Sequence, residues 1–551
     1  MASVRWVERV ALVVALLVGF AGCARQNLAE ASAPAPTQDH VLRIVESQDI
    51  VTLNPHLGVG TPLSLLSELT MAYLVRYDHR GRPYPELLTD VPTQENGGIS
   101  PDGRTVWLTL RHGVRWSDGA PFSSEDVAFS IRVVLNPAND EVSRAGWSLI
   151  DRVETHGPDR LMLHLRQPYA ALFPTIFGSA GANPCILPRH LLWRLPSIDR
   201  ASYNALPVGI GPFRYVQWRR GDLVVLEANP FYFRGMPRLR RIEMHFLPSD
   251  TTALAQMQSG EADLWPLMRP GLYPQVRGVS SLLTHVIPGA YFSHLDFNLH
   301  RPMLTDLRVR EALRLATDRD EIRRKIRHDT GTLQEGYAAP GSSAYDATIP
   351  FVAYDPIAAN RLLDAAGWPR GSDGVRSRHG VRLHLRLVIV AGSPETDALG
   401  ELLSQMWQRV GVELEIRPYP ASLLFDRDGI LARGAYDVAE FAWQNDVLGD
   451  LSGLYTCAAA PPHGQNTLGY CNPALDRLYD QLSRELSPEH RKPLLYRIQR
   501  LLAADVPTIV LSINDNIVAE DARVHNFNPA PFSPFDDMME VDTVTPTYAS
   551  L

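Results

Sequence analysis

The run Gly113–Asn136, GVRWSDGAPFSSEDVAFSIRVVLN, has the sharpest local grammar in the chain. Ser117-Asp-Gly is a turn, Ser123 with Asp126 three positions later makes a capping-box pattern, and Val127, Ile131, Val134 and Leu135 form one apolar helical face. A turn therefore delivers the chain into a capped amphipathic helix. Just upstream, Ser100-Pro-Asp-Gly-Arg turns into Thr105–Arg111, where Val106, Leu108 and Leu110 alternate with Trp107 and Thr109, and a β-hairpin is the simplest account. Earlier still, Val41–Glu46 alternates as a strand, Leu53-Asn54-Pro55-His56 closes its exit, and Leu63–Tyr73 reads as a helix.

With 551 residues, 45% apolar and 21% charged, the chain exceeds one ordinary core and predicts several globular units. A formal charge of −8 with no basic cluster argues weakly against a nucleic-acid binder. Arg5 and Arg9 precede an apolar run from Val10 to Phe20 that ends in Ala21-Gly22-Cys23, the order of a secretory signal peptide. Ala-Gly-Cys is similar to a bacterial lipobox, although Phe20 departs from the usual Leu, so Cys23 is expected to become a lipidated N-terminus on the extracytoplasmic side. The Ala-, Pro-, Ser- and Gln-rich stretch after it suits a tether. In an oxidising exterior Cys457 and Cys471, fourteen positions apart, are a plausible disulfide, which leaves Cys185 free and buried.

In the second half, Leu383–Val390, a helix starting at Ser393-Pro394, and Val412–Ile416 form a βαβ pattern that demands a parallel pair. Next comes Tyr436–Cys471: Val438, Phe441 and Trp443 read as a short buried strand that breaks into Gln444, Asn445, Asp446, Gly449 and Asp450. Such strand ends commonly open onto ligand clefts in α/β sheets. Helices are expected over Leu475–Leu486 and Pro493–Leu502, followed by a strand over Pro507–Ile513.

Gly113–Asn136 resembles the signature of the family 5 extracellular solute-binding proteins, the peptide and nickel type that serve ABC importers. So do Gly209-Ile-Gly-Pro-Phe-Arg-Tyr, Asn229-Pro-Phe-Tyr-Phe-Arg-Gly, Asp306-Leu-Arg-Val-Arg-Glu-Ala-Leu and Tyr354-Asp-Pro-Ile-Ala-Ala-Asn. The resemblance implies an α/β, periplasmic-binding-protein-like type II fold of two lobes in three domains, with a ligand cleft between the lobes. The expected division is a signal peptide over 1–22, a tether over 23–40, domain I from 41–62 with 207–288 and 515–551, domain II over 63–206, and domain III over 289–514. Hinges are expected near Val286–Tyr291 and Ile509–Asn514.

The same resemblance implies capture of a short peptide by lobe closure and delivery to membrane permease subunits, by a monomer held at the membrane through lipidated Cys23. An acidic residue in the loop after the Trp-ended strand would pair with the peptide's ammonium; Asp446 and Asp450 both lie in that loop. Trp443 would wall the pocket, and Asn54, Tyr291 and Phe292 are further lining candidates. Nickel chelates, haem, opines and sugars are alternative ligands within the family, and a ligand sensor is an alternative role. No GxSxG, HExxH, GxxxxGK[ST] or CxxC motif occurs, so neither catalysis, nor a cofactor, nor a resident metal is expected.

Overall fold

The computed structural model describes residues 39–78, 80–144, 146–179, 185–445, 447–461, 463–531 and 534–544. The expected signal peptide, Cys23, the tether up to residue 38 and Asp446 lie outside the described residues. The strands, in chain order, are β1 (Val41–Glu46), β2 (Val75–Tyr77), β3 (Pro83–Pro85), β4 (Thr105–Thr109), β5 (Ile150–Thr155), β6 (Arg160–Leu165), β7 (Phe213–Arg219), β8 (Leu223–Ala228) and β9 (Arg241–Phe246). They continue with β10 (Leu264–Trp265), β11 (Leu282–Phe297), β12 (Ser377–Arg378), β13 (Val381–Arg382), β14 (His384–Val390), β15 (Glu413–Tyr419), β16 (Val438–Gln444) and β17 (Thr508–Asp521).

Ten of these form one mixed sheet in the order β15-β14-β16-β11-β17-β10-β1-β9-β8-β7. The long strands β11 and β17 run through its middle, and the sheet divides about them into two lobes. In lobe 1, β1 lies parallel to β9 and β10, while β10 meets β17 antiparallel. Leu42 and Ile44 of β1 enter one apolar cluster with Leu63, Phe213 and Met244, and Val45 enters another with Met257 and Trp265. Both faces of this strand are therefore covered, as a parallel strand requires.

Lobe 2 carries the expected βαβ unit: β14 pairs parallel with β15, from His384↔Glu413 to Val390↔Tyr419, across the helix Pro394–Arg409. That helix buries Leu399, Leu402, Leu403, Met406 and Trp407. Trp407 is fully buried with its indole N–H donated to Thr317 Oγ1 at 3.0 Å, so truncating it to Ala costs about 3–5 kcal/mol. Asp306 and Asp355 cap their helices as expected, accepting from the backbone N–H of Arg308 and of Ile357 and Ala358.

A third unit extends lobe 1. Its antiparallel sheet β4-β6-β5 packs with the helix Ser124–Leu135 around Trp116, Trp147 and Phe177. The capping box of Ser123 and Asp126 is formed, and Val127, Ile131 and Val134 are buried. Leu135 is exposed and Val133 is buried instead, because the buried stripe also faces the neighbouring segment of Leu187, Leu192 and Ile198. The expected hairpin is reduced to a single bridge, Ile99↔Val106, and the ladder of β4 is made with β6, fifty residues on. Pro493 does not begin a helix: Pro488 takes the first turn and the helix runs on to Asp505 with Pro493 inside it.

Candidate ligand-binding cleft

Strands β11 and β17 pair antiparallel on both sides of a break. Leu282–Pro288 matches Asp521–Asp515 in lobe 1, and Phe292–Asp296 matches Ile513–Thr508 in lobe 2, with a register shift between Pro288 and Phe292. The break falls within the stretches expected as hinges. Gly289 is required there by close approach, since a Cβ would meet Asn516 Oδ1 at 2.5 Å and Asn514 O at 2.7 Å. Around the break, Ser512 Oγ donates to Asn514 Oδ1 at 3.1 Å, and the Asn514 amide donates to Ser293 Oγ at 3.1 Å. The backbone N–H of Gly331 donates to Asp515 Oδ2 at 2.6 Å.

Beside this break β16 ends, paired antiparallel with β11 from Phe297↔Val438 to Tyr291↔Gln444. Trp443 is half-buried and meets Phe441 edge-on at 5.6 Å and Phe425 at 6.5 Å. Tyr291 is 37% exposed and donates its hydroxyl to Gln444 Oε1 at 3.2 Å. Phe292, on the opposite face, is fully buried against His294 and Tyr337. Asn445 donates its backbone N–H to Ala290 O at 2.8 Å. Val447 and Leu448 then join the apolar cluster of the lobe-1 extension, so the segment after Trp443 spans from one lobe to the other.

Asp450, partly buried, accepts from the Ser452 backbone N–H at 2.9 Å, a turn-capping bond at the start of the short helix Ser452–Tyr455. Asn54 is fully buried away from this edge: its amide donates to Asn204 Oδ1 at 2.8 Å and its carbonyl oxygen accepts from the His56 backbone N–H at 3.1 Å. The sulfurs of Cys457 and Cys471 are bonded at 2.07 Å, and Cys185 is free and buried. Tyr291 and Trp443 thus stand at the ends of neighbouring strands on opposite faces, and Asp450 caps a turn further along; Phe292 and Asn54, expected as lining residues, are instead packed in the interior.

Two further contacts join the lobes. Gly271 N–H donates to Glu395 Oε1 at 2.9 Å, and Ala170 N–H donates to Ser483 O at 3.0 Å. Near the first of these stand charged groups that the sequence reading passed over. Burial lifts the carboxyls of Glu440 and Asp515 above their ordinary value, against the pull of Arg327, and burial lowers the Arg327 guanidinium. Glu440 had a visible signal, a charged residue inside the apolar strand Val438–Trp443; Arg327 had none. Among the described residues no group of three His, Cys, Asp or Glu could hold a metal ion, and no helix is long and apolar enough to cross a membrane.

A two-lobed α/β molecule whose lobes share two crossing strands and meet across a polar edge belongs to the type II class of solute-binding proteins. The family model described as "Bacterial extracellular solute-binding proteins, family 5 Middle" matches residues 82–464, and the chain belongs to that family. It is similar to the probable di/tripeptide-binding protein 5 of Pseudomonas aeruginosa (strain UCBPP-PA14), 24% identical over 494 residues, covering 86% of this chain and 90% of that protein. Its fold is similar to that of AppA from Bacillus subtilis in complex with a nonapeptide, with a TM-score of 0.76 and 20% identity over 92% of this chain and 99% of that one. It is also similar to NikA from Brucella suis in complex with Fe(III)-EDTA, with a TM-score of 0.80 and 20% identity over 92% of this chain and 100% of that one.

Proposed function

We propose that the chain is the substrate-binding component of an ABC importer, which captures a short peptide outside the cytoplasm and delivers it to membrane permease subunits. The observation that carries this reading is the segment after Trp443, which leaves a lobe-2 strand, bears Asp446 and Asp450, and seats Val447 and Leu448 in the lobe-1 extension. A peptide lying there finds strand backbone for its main chain, Trp443 for a side chain and a carboxylate for its ammonium. The peptide-binding relatives support that choice of ligand.

Closure excludes water from the captured peptide and strengthens each polar contact, and a ligand preference of about 5.5 kcal/mol moves a 1:99 population of closed molecules to 99:1. In this reading a lipid on Cys23 holds a monomer at the membrane, and no catalytic step is needed. The test is native mass spectrometry of freshly purified protein, followed by calorimetry with di- to nonapeptides. A co-purified peptide mass and saturable binding are expected; a co-purified metal chelate, with no peptide bound at millimolar concentration, overturns the reading.

A further inference from the structure

The apolar run of β16 is interrupted by one charged residue, Glu440. By register it shares a face of the sheet with Ala442 and Gln444 and, on β11, with Leu295, Ser293 and Tyr291. It is 6% exposed and makes no hydrogen bond or ion pair among the described residues. On the same face Arg327 donates to Ser293 Oγ at 2.5 Å and feels the charges of Glu440, Glu395 and Asp515.

The other two carboxylates of this group have partners: Asp515 takes the Gly331 N–H and Glu395 takes the Gly271 N–H from lobe 1. Three carboxylates thus lie within electrostatic reach of one guanidinium near the contact between the lobes, and among the described residues Glu440 alone of the three accepts no hydrogen bond. A buried, unpartnered carboxyl destabilises a fold unless some group completes it. We infer that Glu440 is the seat for a cationic side chain of the ligand, the guanidinium or ammonium of an Arg or Lys in a bound peptide. This rests on the peptide reading above.

The spacing suits it. Glu440 lies four positions before Gln444, roughly 13 Å along a strand that rises about 3.3 Å per residue. An extended peptide anchored by its ammonium beyond Gln444 therefore brings its fourth or fifth residue, or a long side chain of its third, alongside Glu440. Arg327 offsets part of the burial that raises the Glu440 carboxyl, and a ligand cation beside it adds to the pull toward the ionised form.

The test compares affinities by calorimetry for Ala-Ala-Ala, Ala-Ala-Arg, Ala-Ala-Lys and Ala-Ala-Lys acetylated on its side chain. The wild type is expected to bind the Arg or Lys tripeptide at least tenfold more tightly than trialanine, and acetylation, which leaves the protein untouched, is expected to remove that gain. In Glu440→Gln the ratio of cationic to neutral affinity falls to near one. A wild type that binds these peptides without charge preference, or a preference that survives Glu440→Gln, overturns the assignment while leaving the peptide reading intact. A wild type that binds no peptide of the series overturns both.

Discussion

The backbone N–H of Gly271 in lobe 1 donates to the carboxylate of Glu395 in the first turn of a lobe-2 helix, at 2.9 Å, across the gap that closure must bridge. A Cβ on Gly271 would meet Glu395 Oε1 at 2.5 Å, so glycine leaves the room for this contact. Glu395→Ala should destabilise the closed form by about 1.5–3 kcal/mol, the range for a hydrogen bond to a charged group. Small-angle scattering of the ligand-free variant should show a larger radius of gyration than the wild type, and ligand affinity should fall several-fold.

The segment after Trp443 carries two carboxylates, and the proposed role needs one of them. Asp450→Ala and Asp446→Ala should separate: the residue that anchors the ligand ammonium loses more than about 1 kcal/mol of peptide affinity, as truncation of a buried charged partner does. Since Asp450 also holds the Ser452 N–H, its variant should lower Tm slightly as well. Calorimetry with the same peptide on both variants decides, and two unchanged affinities would remove the ammonium anchor from the mechanism.

Joining Cys457 to Cys471 closes a short loop directly beyond that segment. For a loop of this length the constraint on the unfolded chain is worth about 3 kcal/mol. Replacing both cysteines by Ser should lower Tm by several degrees in a thermal melt. It should also weaken ligand binding, because the loop is then ordered at the expense of binding energy.

Buried His56 tests pH dependence. Burial pulls its pKa down, but its interactions with Cys185 and the Glu141 carboxylate outweigh burial and raise it to about 10. The folded state holds this proton more tightly than the unfolded one, so the stabilisation is fully present below about pH 6.5 and is lost as pH rises to about 10. Denaturant unfolding should show a falling free energy across that window. His56→Gln should flatten the His56 part of the slope, at the cost of leaving Glu141 buried without its partner.

Local chemistry made much of this architecture legible. Ser123 with Asp126, Asp306, and Asp355 before Pro356 each announce a helix from within four residues, and each is found in that role. Sheet order was not legible, because Val41 pairs with Arg241 and Leu264 with Glu520, and no local pattern encodes partners that far apart. At the cleft, the Trp-ended strand could be read from its alternation into polar residues. Asn54 could not be told from a lining residue, because the same turn residue serves a buried amide pair with Asn204. Arg327 was invisible for a related reason: Ser293 and Asp515 reach it only through the fold.

The crossing of β11 and β17 also dictates the order in which the chain can be completed. Lobe 2 is built almost wholly from one continuous stretch between the two crossings. Lobe 1 waits for the far end of the molecule: β10 needs Glu520, and the Phe535 backbone N–H is bonded to Glu68, 467 positions earlier. Closing so long a loop is slow. On refolding from denaturant lobe 2 is therefore expected to acquire protected amides first, and lobe 1 to be sealed last by the C-terminal residues. A chain cut short before Thr508 would leave β10 and β11 as bare edges, open to aggregation.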